Sequence, residues 1–126
     1  MKFNKPKAIY MQIADYICEN ILATELKGGD RIQSVREMAA QVEVNPNTVA
    51  RTFSYLQEKE IIFNKRGVGY FVAEDALERT KAIKKEAFLK HYVPEVFKMM
   101  ELLGISFEDL QALQKANNEV VDKSKM

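Results

Sequence analysis

The sequence predicts a mostly α chain with one small β-hairpin, continued by a C-terminal helical segment. Three observations carry that reading. Apolar residues recur at helical spacing along most of the 126 residues. Two β-branched and aromatic runs, Ile61-Ile62-Phe63 and Tyr70-Phe71-Val72, bracket a turn containing two glycines. Helix-start signals, Ser34 followed by Glu37 and Asn45 followed by Pro46, divide the first half into short helices joined by tight turns.

In order, Tyr10, Ile13, Ile17 and Ile21 mark a first amphipathic helix over about residues 10–24, which Lys27-Gly28-Gly29-Asp30 ends. Arg31-Ile32 is a candidate for a very short strand beside the hairpin. Ser34 and Glu37 form a reciprocal cap, and Val35, Met38, Ala39 and Val42 follow as a core-facing stripe. This second helix is too short to be stable alone and must pack on neighbours. Asn45 caps a third helix whose apolar stripe is Val49, Phe53 and Leu56. Asn47, Arg51 and Ser54 fall on the opposite face, flanked by Thr48 and Tyr55. Two short helices with a three- or four-residue turn make a helix-turn-helix, and the hairpin around Asn64-Lys65-Arg66-Gly67-Val68-Gly69 adds a wing.

Asp75 with Glu78 reads as another reciprocal cap, opening a long helix with Ile83, Ala87, Phe88, Val96, Phe97, Met100 and Leu103 on its apolar face. Pro94 either kinks that helix or splits it, and Gly104 ends it. Ser106 with Asp109 starts a last helix carrying Phe107, Leu110, Leu113 and Val120. The expected division is a winged helix-turn-helix over residues 1–74 and a helical dimerisation region over 75–126. An unbroken helix from 76 to 103 would span about 40 Å, beyond the core of one small domain. Phe88, Val96, Phe97, Met100 and Leu103 therefore call for a partner, and a second copy is the economical one. The other arrangement is folding back on the chain's own winged domain.

Composition excludes several classes. No apolar run is long enough to cross a bilayer, the N-terminal Met1–Lys7 stretch lacks the apolar core of a signal peptide, and the single Cys18 fits a reducing compartment, so a cytoplasmic location is expected. His91 stands alone without a second ligand at metal-binding spacing. No phosphate-binding glycine loop, nucleophile motif or catalytic carboxylate pair is present, so neither enzyme activity nor a cofactor is expected. Residues 1–73 carry ten Lys/Arg against eight Asp/Glu, in a chain of net charge +1. Binding to nucleic acid would require that positive charge to gather on one face.

The residue types on the helix-turn-helix suit duplex DNA. Arg51 can pair bidentately with guanine and Asn47 with adenine, while the Thr48 hydroxyl suits phosphate or a base edge. Arg36, in the first turn of the second helix, is either a phosphate or guanine contact or a solvated charge. Asn45 belongs to the same candidate surface, chiefly as a cap. Lys65, Arg66, Gly67 and Gly69 form a basic tip that could enter a minor groove, or else a solvated turn. Tyr55 could meet phosphate or pack on the wing. Lys2, Lys5 and Lys7 are expected to belong to a disordered terminus, or else to add nonspecific phosphate contacts.

With these elements in place, the chain resembles the GntR family of bacterial transcription regulators. The resemblance lies in Ile9-Tyr10-Met11-Gln12-Ile13, in the run from Gly29 to Ala39, in Val44-Asn45-Pro46-Asn47-Thr48-Val49-Ala50-Arg51, and in Arg66-Gly67-Val68-Gly69-Tyr70-Phe71-Val72. The Asn-Pro-Asn-Thr-Val block and the short tail are similar to the YtrA-type subgroup. The resemblance implies a repressor bound to a palindromic operator as a homodimer held by its C-terminal helices, and it leaves room for an unidentified small-molecule effector. Three positions depart from the family's usual pattern: Gln33 in place of Pro, Glu60 in place of Gly, and Ala50 where several branches have Arg. Since fold does not fix function, the competing class is a winged module that binds protein instead of DNA.

Overall fold

The computed structural model describes residues 7–125. Helix α1 (Ile9–Leu22) is followed by β1 (Arg31–Ile32), α2 (Val35–Val42) and α3 (Pro46–Glu58). Strands β2 (Ile62–Lys65) and β3 (Gly69–Val72) form the hairpin. Helix α4 (Ala76–Ala87), a π-helical turn (Phe88–Tyr92), α5 (Val93–Leu103) and α6 (Phe107–Lys125) complete the chain. One compact unit runs to Glu86 and a second begins at Ala87.

In the first unit, side chains on one side of each helix meet in a single core. Helix α1 contributes Ile13, Ala14, Ile17, Cys18 and Ile21, α2 contributes Met38 and Ala39, and α3 contributes Val49, Phe53 and Leu56. Burial pushes the Cys18 thiol above its ordinary range, as for an unreactive core cysteine. The short strand expected at Arg31-Ile32 is present. It pairs antiparallel with β3, giving the order β1-β3-β2, with Arg31 opposite Phe71 and Ile62 opposite Val72. Ile32, Ile62 and Val72 face the helices, and the Tyr70 ring meets Phe53 edge-on at 4.7 Å between centroids. A hairpin that would be marginal alone is thus fastened by its buried face and a third strand.

Helix α4 extends this unit beyond the boundary expected at residue 74. Ala76 and Thr80 are buried, and Leu77 and Ile83 pack against the same core. The reciprocal cap expected of Asp75 and Glu78 is replaced by a different contact. Asp75 Oδ2 accepts from Arg79 Nε at 2.7 Å, while Arg79 Nη1 lies 2.7 Å from Glu60 Oε2. Across the unit, Asp15 on α1 pairs with Lys84 on α4 and with Lys7.

The second unit begins with the π-helical turn. Pro94 stands in the first turn of α5, where its missing N–H is least costly, and the turn before it is the wider π form. Gly104 ends α5 in the left-handed region at φ 69°, and the Ile105 N–H donates to the Met100 carbonyl at 2.9 Å. Ser106 and Asp109, read as the start of the last helix, form a reciprocal cap of α6, with Asp109 N donating to Ser106 Oγ at 3.1 Å and Ser106 N to Asp109 Oδ2 at 2.9 Å. Among the described residues no helix is long and apolar enough to cross a membrane.

Candidate nucleic-acid interface

The helix-turn-helix is built by its caps. Glu37 N donates to Ser34 Oγ at 3.1 Å and Ser34 N donates to Glu37 Oε1 at 3.3 Å, which fixes the start of α2. These contacts with the Ser34 side chain and backbone hold the Glu37 carboxyl below its ordinary value. Glu43 then turns the chain at φ 56°, and the Val44 N–H donates to the Ala39 carbonyl at 3.0 Å. Asn45 Oδ1 accepts from Asn47 N at 2.8 Å with Pro46 at the first helical position, so α3 starts abruptly after a tight turn. Of the DNA-contact candidates, Asn45 thus has its side-chain oxygen committed to the cap.

With Val49, Phe53 and Leu56 fully buried, the other side of α3 faces outward. Asn47 and Arg51 are exposed and Thr48 is half-buried. The structure brings these three together in a surface hollow of about 370 Å³, which they share with Ala8, Ile9 and Tyr10 at the start of α1. The Arg51 guanidinium lies over the Tyr10 ring, 3.9 Å from its centroid. Beside it, buried Thr52 donates its hydroxyl to the Tyr10 carbonyl at 2.7 Å. The sequence placed Tyr10 in a core-facing stripe and offered no sign of this contact, because residues on two helices far apart in the chain meet only through tertiary packing. Tyr55, the other aromatic on α3, packs against the core, and burial raises its phenol above the ordinary range.

The remaining candidates stand on other elements. Arg36 is exposed in the first turn of α2. Lys65 and Arg66 are exposed at the hairpin turn, where Val68 N donates to Lys65 O at 2.8 Å. Gly67 takes φ 79° and Gly69 φ 138°, and a Cβ on Gly69 would lie 3.1 Å from Arg31 Nε, so this tip depends on glycine twice. Among the described residues no carboxylate pairs with Arg36, Arg51, Lys65 or Arg66, whereas Lys84 and Arg79 are held in ion pairs. Lys7 is engaged by Asp15, and Lys2 and Lys5 lie outside the described residues. No cluster of His, Cys, Asp or Glu able to hold a metal ion occurs among the described residues. The five apolar candidates in the tail divide. Phe88, Phe97 and Leu103 are exposed, Val96 is half-buried, and Met100 is buried at 8% exposure.

A capped helix-turn-helix with exposed polar residues on its second helix, beside a three-stranded sheet with a basic hairpin tip, defines a winged helix-turn-helix of the DNA-binding class. Residues 9–72 match the gntR family of bacterial regulatory proteins, and the chain belongs to that family. It is 43% identical over 110 residues to the HTH-type transcriptional regulator YhcF of Bacillus subtilis, covering 86% of this chain and 88% of YhcF. With the HTH-type transcriptional repressor YtrA of the same organism it shares 32% identity over 102 residues, 81% of this chain and 78% of YtrA. A solved GntR-family transcriptional regulator from Listeria monocytogenes superposes with a TM-score of 0.75 at 35% identity, covering 90% of this chain and 97% of that one. The protein is thus a GntR-family transcription regulator with a DNA-binding helix-turn-helix.

Proposed function

We propose that the protein represses transcription by binding a palindromic operator as a homodimer, with Asn47, Thr48 and Arg51 reading base edges and Arg36, Lys65, Arg66 and the glycines of the wing meeting the backbone or minor groove. The observation that carries this reading is the gathering of Asn47, Thr48 and Arg51 on the outward side of α3, with no carboxylate on the arginine among the described residues. An arginine already paired to an acid would have to break that pair before touching guanine. A related chain of similar length, YtrA, is a repressor. The exposed apolar residues of the second unit, Phe88, Phe97 and Leu103, support pairing of two copies there.

Selection of bound sequences from random duplex DNA tests the reading directly. The expected product is an inverted repeat whose half-sites lie about 34–36 Å apart, or a multiple of that spacing. Arg51→Ala should weaken binding to the selected duplex by about 1–3 kcal/mol while sparing random duplex. Equal loss on both would remove Arg51 as a base reader. A lone half-site would remove the symmetric dimer, and no enrichment at all would remove the whole proposal.

A further inference from the structure

We infer that Tyr10, in the first turn of α1 and outside the helix-turn-helix, is a positioning residue for Arg51 and so sets the operator specificity of the protein. The inference rests on Arg51 acting as a base reader. Its warrant is the position of the guanidinium over the phenol ring, 3.9 Å from Cζ to the ring centroid. A guanidinium carries all five of its N–H donors in its own plane. An aromatic ring against one face therefore attracts the cation while leaving the donating edges free. A carboxylate at the same place would instead occupy those edges, and among the described residues none does.

The ring is itself held in register with the recognition helix. Thr52, the residue after Arg51, is fully buried and donates its hydroxyl to the Tyr10 carbonyl at 2.7 Å. One α3 residue thus grips the Tyr10 backbone while the Tyr10 side chain lies against its neighbour, so sliding of α1 along α3 would break both contacts together. Arg51 is exposed, and an unsupported arginine there would have to lose its rotamer freedom when it bound a base. With the ring beneath it, part of that ordering precedes DNA binding, which is how preorganisation raises affinity for a matched site. Asn47 and Thr48 border the same hollow, so the three readers of α3 and the aromatic of α1 form one surface.

The test uses the full chain and four variants, Tyr10→Phe, Tyr10→Leu, Arg51→Ala and the Tyr10→Leu/Arg51→Ala pair, titrated against the selected duplex and a random duplex. Tyr10→Phe keeps an aromatic face and should stay within about twofold of the wild type on both. Tyr10→Leu should lose about five- to tenfold on the selected duplex and almost nothing on the random one. In the Arg51→Ala background Tyr10→Leu should have no further effect, because its only route to the DNA is gone. The inference is overturned if Tyr10→Leu weakens both duplexes alike, if Tyr10→Phe falls as far as Tyr10→Leu, or if the two losses simply add. Failure of the wild type to bind any selected duplex would instead sink the DNA-reading proposal, and this inference with it. A wild type that binds, loses specificity on Arg51→Ala and ignores Tyr10→Leu would sink the inference alone.

Discussion

The two compact units treat apolar surface in opposite ways. In the first, Ile17, Ile21, Phe53 and Leu56 are fully buried in a core to which α1, α2, α3, the sheet and α4 all contribute. In the second, Met100 is buried while Phe97, Leu103 and Phe107 stand 49%, 64% and 63% exposed, with Leu89, Leu102 and Leu113 beside them in the same condition. Enough elements of varied direction surround the first core to close it. Two helices joined by one elbow cannot close theirs. The Phe97 and Phe107 rings meet edge-on at 5.9 Å, yet both remain exposed. The first unit closes its apolar surface into a core, and the second leaves much of its own exposed.

The largest expected effect breaks that contrast if it fails. Phe53→Ala should cost about 3–5 kcal/mol of unfolding free energy, since it empties a fully buried site. Phe97→Ala should cost under about 1 kcal/mol in protein dilute enough to be monomeric, because an exposed ring loses little. The same change should raise the concentration needed for self-association, read by sedimentation, and weaken the concentration dependence of Tm. Equal destabilisation by the two alanines in dilute protein would show that the second unit has a core of its own.

A second, smaller effect sharpens the account of how the first unit holds α4. Burial by itself would raise the Asp15 carboxyl, but hydrogen bonds from Lys7 and Lys84, and their charges, bring it below its ordinary value of 3.8. The native state therefore binds this proton less readily than the unfolded chain. The resulting stability is complete above the unfolded value near pH 4 and is lost as the pH falls through the depressed native value. Asp15→Asn should destabilise by about 1 kcal/mol at pH 7, a figure already discounted for solvent screening of the partly exposed lysines. Urea melts at pH 7 and near pH 2.5 should show the gap between wild type and variant shrinking in acid. A constant gap would mean that Asp15 acts through packing and not through its charge.

What the sequence made legible was whatever is written locally. The Val49-Phe53-Leu56 stripe, the Ser34–Glu37 cap, the helix start at Ser106 and Asp109 and the Gly104 stop each involve residues a turn or two apart, and each appears in the structure as read. Two readings missed because the deciding partner lies elsewhere in the chain. Helix α4 joins the first core through Ala76, Leu77, Thr80 and Ile83, but the sequence shows Ile83 only as part of one long stripe running on to Leu103, because periodicity does not say which core a stripe serves. Asp75 has Arg79 for a partner in place of the Glu78 cap, because a guanidinium one turn on competes for the same carboxylate. The candidate site follows the same division. The outward residues of α3 and the basic wing tip were legible from spacing, whereas the support of Arg51 by Tyr10 was not.

Thr80 offers a gain of similar size to the Asp15 loss, in the opposite direction. Its side chain is fully buried, and the hydroxyl finds no hydrogen-bond partner among the described residues. Replacing an unpaired buried hydroxyl by a methyl of like shape removes its desolvation penalty, so Thr80→Val should stabilise the first unit by about 1 kcal/mol. Denaturant midpoints at unchanged slope would measure it. A loss of stability would show that the hydroxyl is satisfied and that α4 is held to the core partly by a polar contact.

The smallest effect concerns the turn out of α3. Glu60 occupies the left-handed region at φ 59°, just past the end of the helix. A side chain there is strained by about 1 kcal/mol relative to glycine. Against that strain stands the exposed pair between Glu60 Oε2 and Arg79 Nη1, which joins the end of α3 to α4 and is worth about 0–1 kcal/mol. Glycine would also enlarge the freedom of the unfolded chain. The three contributions nearly cancel, so Glu60→Gly should gain no more than about 0.5 kcal/mol. Repeating the substitution in an Arg79→Ala background separates them, because the ion pair is then absent from both arms of the comparison. The gain should be larger there than in the wild type. If it is the same, the pair contributes nothing, and α4 is held to the first unit by its buried face and the Asp15 contacts alone.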